Sequence, residues 1–115
     1  MRGPGVRRDA GSASVMGMAV VATMVALAGL VVPVGVVLVA RQGVANAADA
    51  AALAAADAAS GAIGGYPCDV ADVAAGLNAA TVTGCELDGL VASVTVSRTV
   101  LGFAIASSAR AGPSP

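Results

Sequence analysis

The chain has 115 residues, a formal net charge of −1 and a hydrophobic fraction of 57%. That length allows one membrane span and one mini-domain, not two globular domains. It holds no histidine, which removes Ser-His triads and a histidine general base, and it has no P-loop or dinucleotide fingerprint and no basic patch with interleaved aromatics. An enzyme, a cofactor, a small-molecule substrate and a nucleic-acid partner are therefore not expected.

Met1–Ser14 (MRGPGVRRDAGSAS) is basic, rich in Gly and Ser, and lacks periodicity, so it reads as a flexible leader. Its Arg7-Arg8 pair lacks the hydrophobic context of a twin-arginine export signal. Val15–Ala40 follows, 26 residues without a charge. A bilayer core needs about 20 apolar residues in a helix, and no domain of this size buries so long a segment on every face. A transmembrane helix is expected over 15–40. Three arginines precede it (Arg2, Arg7, Arg8) and only Arg41 directly follows, so the positive-inside rule puts the N-terminus in the cytoplasm and the C-terminal part outside it. The competing reading is a cleavable secretory signal, with Ala45-Asn46-Ala47 as an A-x-A match, which would release a small secreted module. Signal h-regions of about 7–15 residues are much shorter than this run.

Within the span, Ala19, Ala22, Ala26, Gly29 and Pro33 alternate spacings of three and four and share one seam of the helix. The same spacing continues through Gly43, Ala47, Ala50 and Ala54. Small-residue seams let membrane helices approach closely, although an Ala/Gly-rich chain also produces them by chance. Pro33 removes a backbone donor and is expected to kink the helix.

Residues 41–62 continue the helix out of the membrane as an Ala-rich extension, since alanine is the best helix former. Gln42, Asn46, Asp49, Asp57 and Ser60 form a polar stripe with Leu53 among them. So few large apolar groups cannot anchor a core alone. The extension reads either as a packing rod for copies or partners, with Leu53 as candidate contact, or as a solvated helix that frays.

The Gly61–Pro67 turn cluster stops the helix, and residues 63–111 form a small α+β module. Cys68–Ala80 has helical spacing at Val70, Val73, Ala74 and Leu77, with Asp69 and Asp72 complementing the helix dipole. Two β-type runs flank Asp88-Gly89, a two-residue hairpin signature. That turn pairs Leu87 with Leu90, Cys85 with Ala92, Thr83 with Val94 and Thr81 with Val96 on an apolar face. Cys85 then points toward the helix that begins at Cys68. A Cys68–Cys85 disulfide fits an oxidising compartment and so thin a core. The alternatives are a metal pair or free thiols, and two cysteines without histidine make a poor zinc site. Asp69, Asp72, Glu86 and Asp88 match no calcium loop, so no metal is expected. Phe103–Ala109 is a candidate third strand, because a two-stranded hairpin needs cover. Residues 112–115 read as a disordered tail.

Taken together, the leader ending RRDAGSAS, the span, ARQGVANAADAAALAAA (40–56), the Cys-containing helix, the Gly-Cys-x-x-Asp-Gly hairpin (84–89) and the ARAGP tail (109–113) resemble the TadE-like pseudopilin family, in particular small actinobacterial members found beside a helicase and Tad secretion genes. The resemblance implies a pilin-like fold and a membrane-anchored minor pilin or assembly component of a Tad-type pilus or secretion system. Its partners would be the membrane and other pilin-like or Tad-system subunits, including copies of itself. It further implies prepilin-peptidase cleavage between Gly11 and Ser12. Related pilins carry Glu five residues past the cut; this chain has Met16 there. A third expectation, outside any filament, is a single-pass regulator of a neighbouring membrane complex.

Overall fold

A computed structural model describes the backbone of residues 4–114 and the side chains of residues 11–114. Residues 1–3 and 115, Arg2 included, lie outside the described residues, as do the side chains of Arg7 and Arg8. The elements are α1 (Pro4–Ala59), α2 (Pro67–Leu77), β1 (Thr81–Asp88), β2 (Val91–Val100) and β3 (Phe103–Ala111). The fold is α+β, with one long apolar N-terminal helix, a short helix and a three-stranded antiparallel sheet in the order β1-β2-β3. It divides into two units, Met1–Val36 and Val37–Pro115.

In the first unit, α1 starts at Pro4, so most of the leader is helical instead of irregular. Proline at the first helical position loses no intrahelical bond, and each residue added to an existing helix gains one bond per residue fixed. The helix continues through Pro33. Every residue from Gly11 to Val34 is exposed, and no residue of the most apolar window is buried. This helix is long and apolar enough to cross a membrane.

In the second unit, α1 supplies the floor of a core. Val44, Ala47, Ala48, Ala51, Ala52 and Ala55 are fully buried, the spacing of one helix face. Ala92, Val94 and Val96 of β2 meet them, as do Ala71 and Ala75 of α2. Val44, Val94 and Val96 are the largest fully buried side chains. The alanine helix does not form this core alone: its small side chains share it with β2 and α2, and three valines supply the largest buried groups.

Both helices end in the same way. At the end of α1, Ala62 N–H donates to Asp57 O and Gly61 N–H to Ala58 O, with Gly61 at φ 82°. At the end of α2, Ala80 N–H donates to Ala75 O and Ala79 N–H to Gly76 O. These are Schellman caps, in which the residue past the cap must be left-handed. In α2 that residue is Ala79, at φ 56°. The cap ends α2 at Leu77, before the expected Ala80.

The hairpin exists, but its register differs from the one Asp88-Gly89 predicts. Asp88 pairs with Val91, Leu87 with Ala92 and Cys85 with Val94. The central turn residues are therefore Gly89, at φ 62°, and Leu90, the arrangement of a II′ turn with glycine first. A two-residue shift keeps Cys85, Ala92, Val94 and Val96 facing inward, as expected. A bulge between Val82 and Gly84 then flips the start of β1. Val82 pairs with Val96 and packs on the core, whereas Thr81 and Thr83 are exposed. One inserted residue exchanges the two faces of a strand, and here the exchange turns a valine inward and two threonines out. The third strand forms and runs to Ala111, paired without interruption to β2.

Candidate functional site

The two cysteines are joined. Cys68 in the first turn of α2 is disulfide-bonded to Cys85 of β1, with their Cα atoms 5.9 Å apart. The bond ties α2 to an edge strand of a sheet that otherwise holds it through Ala71 and Ala75.

Arg98, which carried no expectation from the sequence, is the most constrained polar side chain of the module. It belongs to the inward face of β2, one step beyond Val96. Its Nε donates to Ala79 O at 2.8 Å and its Nη2 to Asn78 O at 2.6 Å. Asn78 Nδ2 donates back to Ala74 O at 2.9 Å. The last carbonyls of a helix have no intrahelical partner, and a cation there also meets the negative end of the helix dipole. The guanidinium lies on Gly43 of α1, where an added Cβ would be 3.0 Å from Nη1. Gly43 is a seat for Arg98, and one residue locks α1, α2 and β2 together.

The small-residue seam has two fates. Ala19, Ala22, Ala26, Gly29 and Pro33 are exposed, as are Gly11 and Ser12. A Cβ at Gly11, Gly17, Gly29 or Gly35 would meet nothing within 4 Å. The continuation is different: Ala47 is fully buried, Ala50 and Ala54 are half-buried, and Gly43 lies under Arg98. Ala47 therefore cannot serve as an outward packing position, because the chain's own module occupies it. The polar stripe Gln42, Asn46, Asp49, Asp57 and Ser60 is exposed as expected, and Leu53 is 58% exposed. Leu53 borders a shallow groove of about 240 Å³ with Asp57, Ser60, Leu90 and Pro113.

Among the described residues, no polar or charged side chain is buried and no cluster of three metal-ligating side chains occurs. The cross-strand hydroxyls Thr95 and Ser108 are 2.7 Å apart on the outer face of the sheet, which also carries Glu86 and Arg110 on either side of Ser93. What this arrangement offers is surface: an exposed apolar helix and a stapled module.

Comparison with protein-family models, curated proteins and solved structures finds no match to this chain.

Proposed function

We propose that this protein is a membrane-anchored, pseudopilin-like component of a Tad-type pilus or secretion apparatus. It is single-pass, with its N-terminus in the cytoplasm and its disulfide-linked module outside the cytoplasmic membrane. The observation that carries the reading is an apolar helix with no residue buried across its most apolar window, and a module whose core draws on α1 only from Val44 onward. Such a helix requires lipid or other helices as its solvent. The TadE-like resemblance of leader, span, alanine helix and hairpin supplies the pilus assignment, and the arginine asymmetry supplies the orientation. A disulfide agrees with an oxidising compartment.

Release by signal peptidase after Ala47 is the weaker reading on physical grounds. It removes Val44, one of the three largest buried side chains, and the Gly43 seat of Arg98. It also creates a charged N-terminus at Ala48, which has no exposed surface. Intact mass of the protein extracted from its native membrane tests the proposal. A mature chain starting at Ser12 supports the pilin-like component, an uncleaved leader supports a single-pass regulator, and a soluble chain starting at Ala48 refutes membrane anchoring.

A further inference from the structure

The inner face of the sheet can be aligned with α1 at two points. At one end, Leu90, Ala111 and Pro113 border the groove that Ala56, Asp57 and Ser60 line. At the other, Arg98 lies on Gly43. From Ala56 back to Gly43 α1 rises about 20 Å. From Ala92, the partner of Ala111, to Arg98, β2 also advances about 20 Å. Strand β2 therefore runs alongside α1 in the opposite direction. Two residues further, Val100 and its partner Phe103 lie about 7 Å past Arg98, level with the turn Leu38–Ala40 of α1. The burial of Ala40, 7% exposed among exposed neighbours, fits that placement.

Leu38–Ala40 is the last turn of the charge-free run, and Arg41 is the first charge after it. The β2–β3 hairpin tip thus reaches the level where the apolar helix meets its first cation. The tip is apolar and open: Leu101 is 60% and Phe103, the chain's one phenylalanine, 68% exposed. Leu101 has φ 51° and Gly102 φ 80°, a turn that favours Asn-Gly over any bulky residue. Neither packing nor turn geometry accounts for leucine at that position. No charge occurs from Thr99 to Ala109. Arg41 and Arg98 are at the tip end, whereas Glu86 and Asp88 are near the opposite turn, where Arg110 accompanies them across Ser93.

We infer that the β2–β3 hairpin tip, Val100–Phe103, inserts into the interfacial zone of the bilayer crossed by α1, with Arg41 at the level of anionic headgroups. This rests on the reading of α1 as a membrane span. Residues 15–36 alone would measure about 33 Å as a helix, enough for a hydrocarbon core of about 30 Å, which leaves Val37–Arg41 and the tip in the interface. Apolar side chains on a tip beside cations are the composition of membrane-surface anchors. The tip would fix the module's rotation and height on the membrane, which a single helix does not.

The chain has no tryptophan, so single-tryptophan variants of the full protein report one site each. Val25→Trp, Leu101→Trp, Phe103→Trp and Leu90→Trp are reconstituted in phosphatidylcholine–phosphatidylglycerol vesicles with or without bromine on the acyl chains near the glycerol. Val25→Trp reports the span, and Leu90→Trp the opposite turn, about 30 Å away along β2. The expected result is blue-shifted emission and loss of most intensity on bromolipid at positions 101 and 103, with position 90 unaffected. Quenching by acyl-chain bromines placed to match its depth at position 25, but none at 101 and 103, overturns the inference and leaves the span standing. Blue-shifted but unquenched emission at 101 and 103 also overturns it, because protein, such as a second copy, then covers the tip. No quenching at position 25 at any bromine depth refutes the span and the inference with it.

Discussion

Removing Arg98 tests how the module holds together. In Arg98→Ala, the carbonyls of Asn78 and Ala79 lose donors at 2.6 and 2.8 Å, and the end of α2 loses its cation. Hydrogen bonds from a charged donor contribute about 1.5–3 kcal/mol each when shielded. Arg98 is half-buried and water can replace part of what is lost, so the two together are worth about 2 kcal/mol. Arg98→Lys keeps the charge but not the planar fork, and is expected to recover less than half of that. Gly43 makes the argument sharper. Glycine inside a helix costs about 1 kcal/mol relative to alanine, so Gly43→Ala would stabilise α1 were Arg98 not seated there. With Nη1 at 3.0 Å from the new methyl, the gain is expected to vanish in the native protein and to return in Arg98→Ala, a coupling of about 1 kcal/mol. Hydrogen exchange of the Val94 and Val96 amides, in full-length protein in detergent micelles, reads the module's stability apart from the span. Equal stabilisation by Gly43→Ala in both backgrounds would refute the clamp.

Four other outcomes are expected from the same measurement. Ala79→Gly relieves a left-handed alanine at φ 56° and is expected to stabilise the module by about 1 kcal/mol; destabilisation would contradict the capping geometry. Reducing Cys68–Cys85, with 17 residues of sequence separation, is expected to cost about 3 kcal/mol from loop entropy, visible as faster exchange throughout α2 and β1. Ala51→Leu forces bulk between α1 and the sheet and is expected to cost about 1–3 kcal/mol, whereas Leu53→Ala, two positions away and exposed, changes stability by less than about 0.5 kcal/mol.

Local rules reached the parts of this fold that local rules govern. The charge-free run, the Gly61 stop, the inward set of β2, the disulfide and the third strand all follow from spacing and turn chemistry. The hairpin register did not, because Asp-Gly and Gly-Leu both make acceptable two-residue turns, and registers two residues apart point the same side chains inward. The bulge between Val82 and Gly84, and not the register, turns Val82 inward. The alanine helix misled for a different reason. Its buried positions 44, 47, 48, 51, 52 and 55 follow helical spacing, but an all-alanine neighbourhood hides that pattern, since exposed and buried faces carry the same residue. Only the polar stripe opposite marks the boundary. Arg98 gave no signal because its partners are backbone carbonyls of another element, which no side-chain pattern records.

The alanine seam shows how one sequence pattern acquires two meanings along one helix. Closeness of approach is what small residues provide, and what approaches depends on what is tethered nearby. At Gly43 and Ala47 the partner is the chain's own sheet, tethered to α1 by the intervening loop and α2, so intramolecular contact wins over any other copy. Ala19, Ala22, Ala26 and Gly29 of the first unit are exposed. Under the proposed function, an assembly built on this helix would pack through these exposed small residues, and contacts further along would use the exposed polar stripe and Leu53. Substituting leucine at Ala22 and Ala26 should weaken assembly while leaving the module's hydrogen exchange unchanged. The same change at Ala47, which is fully buried, should do the reverse, unfolding the module without altering assembly through the exposed seam.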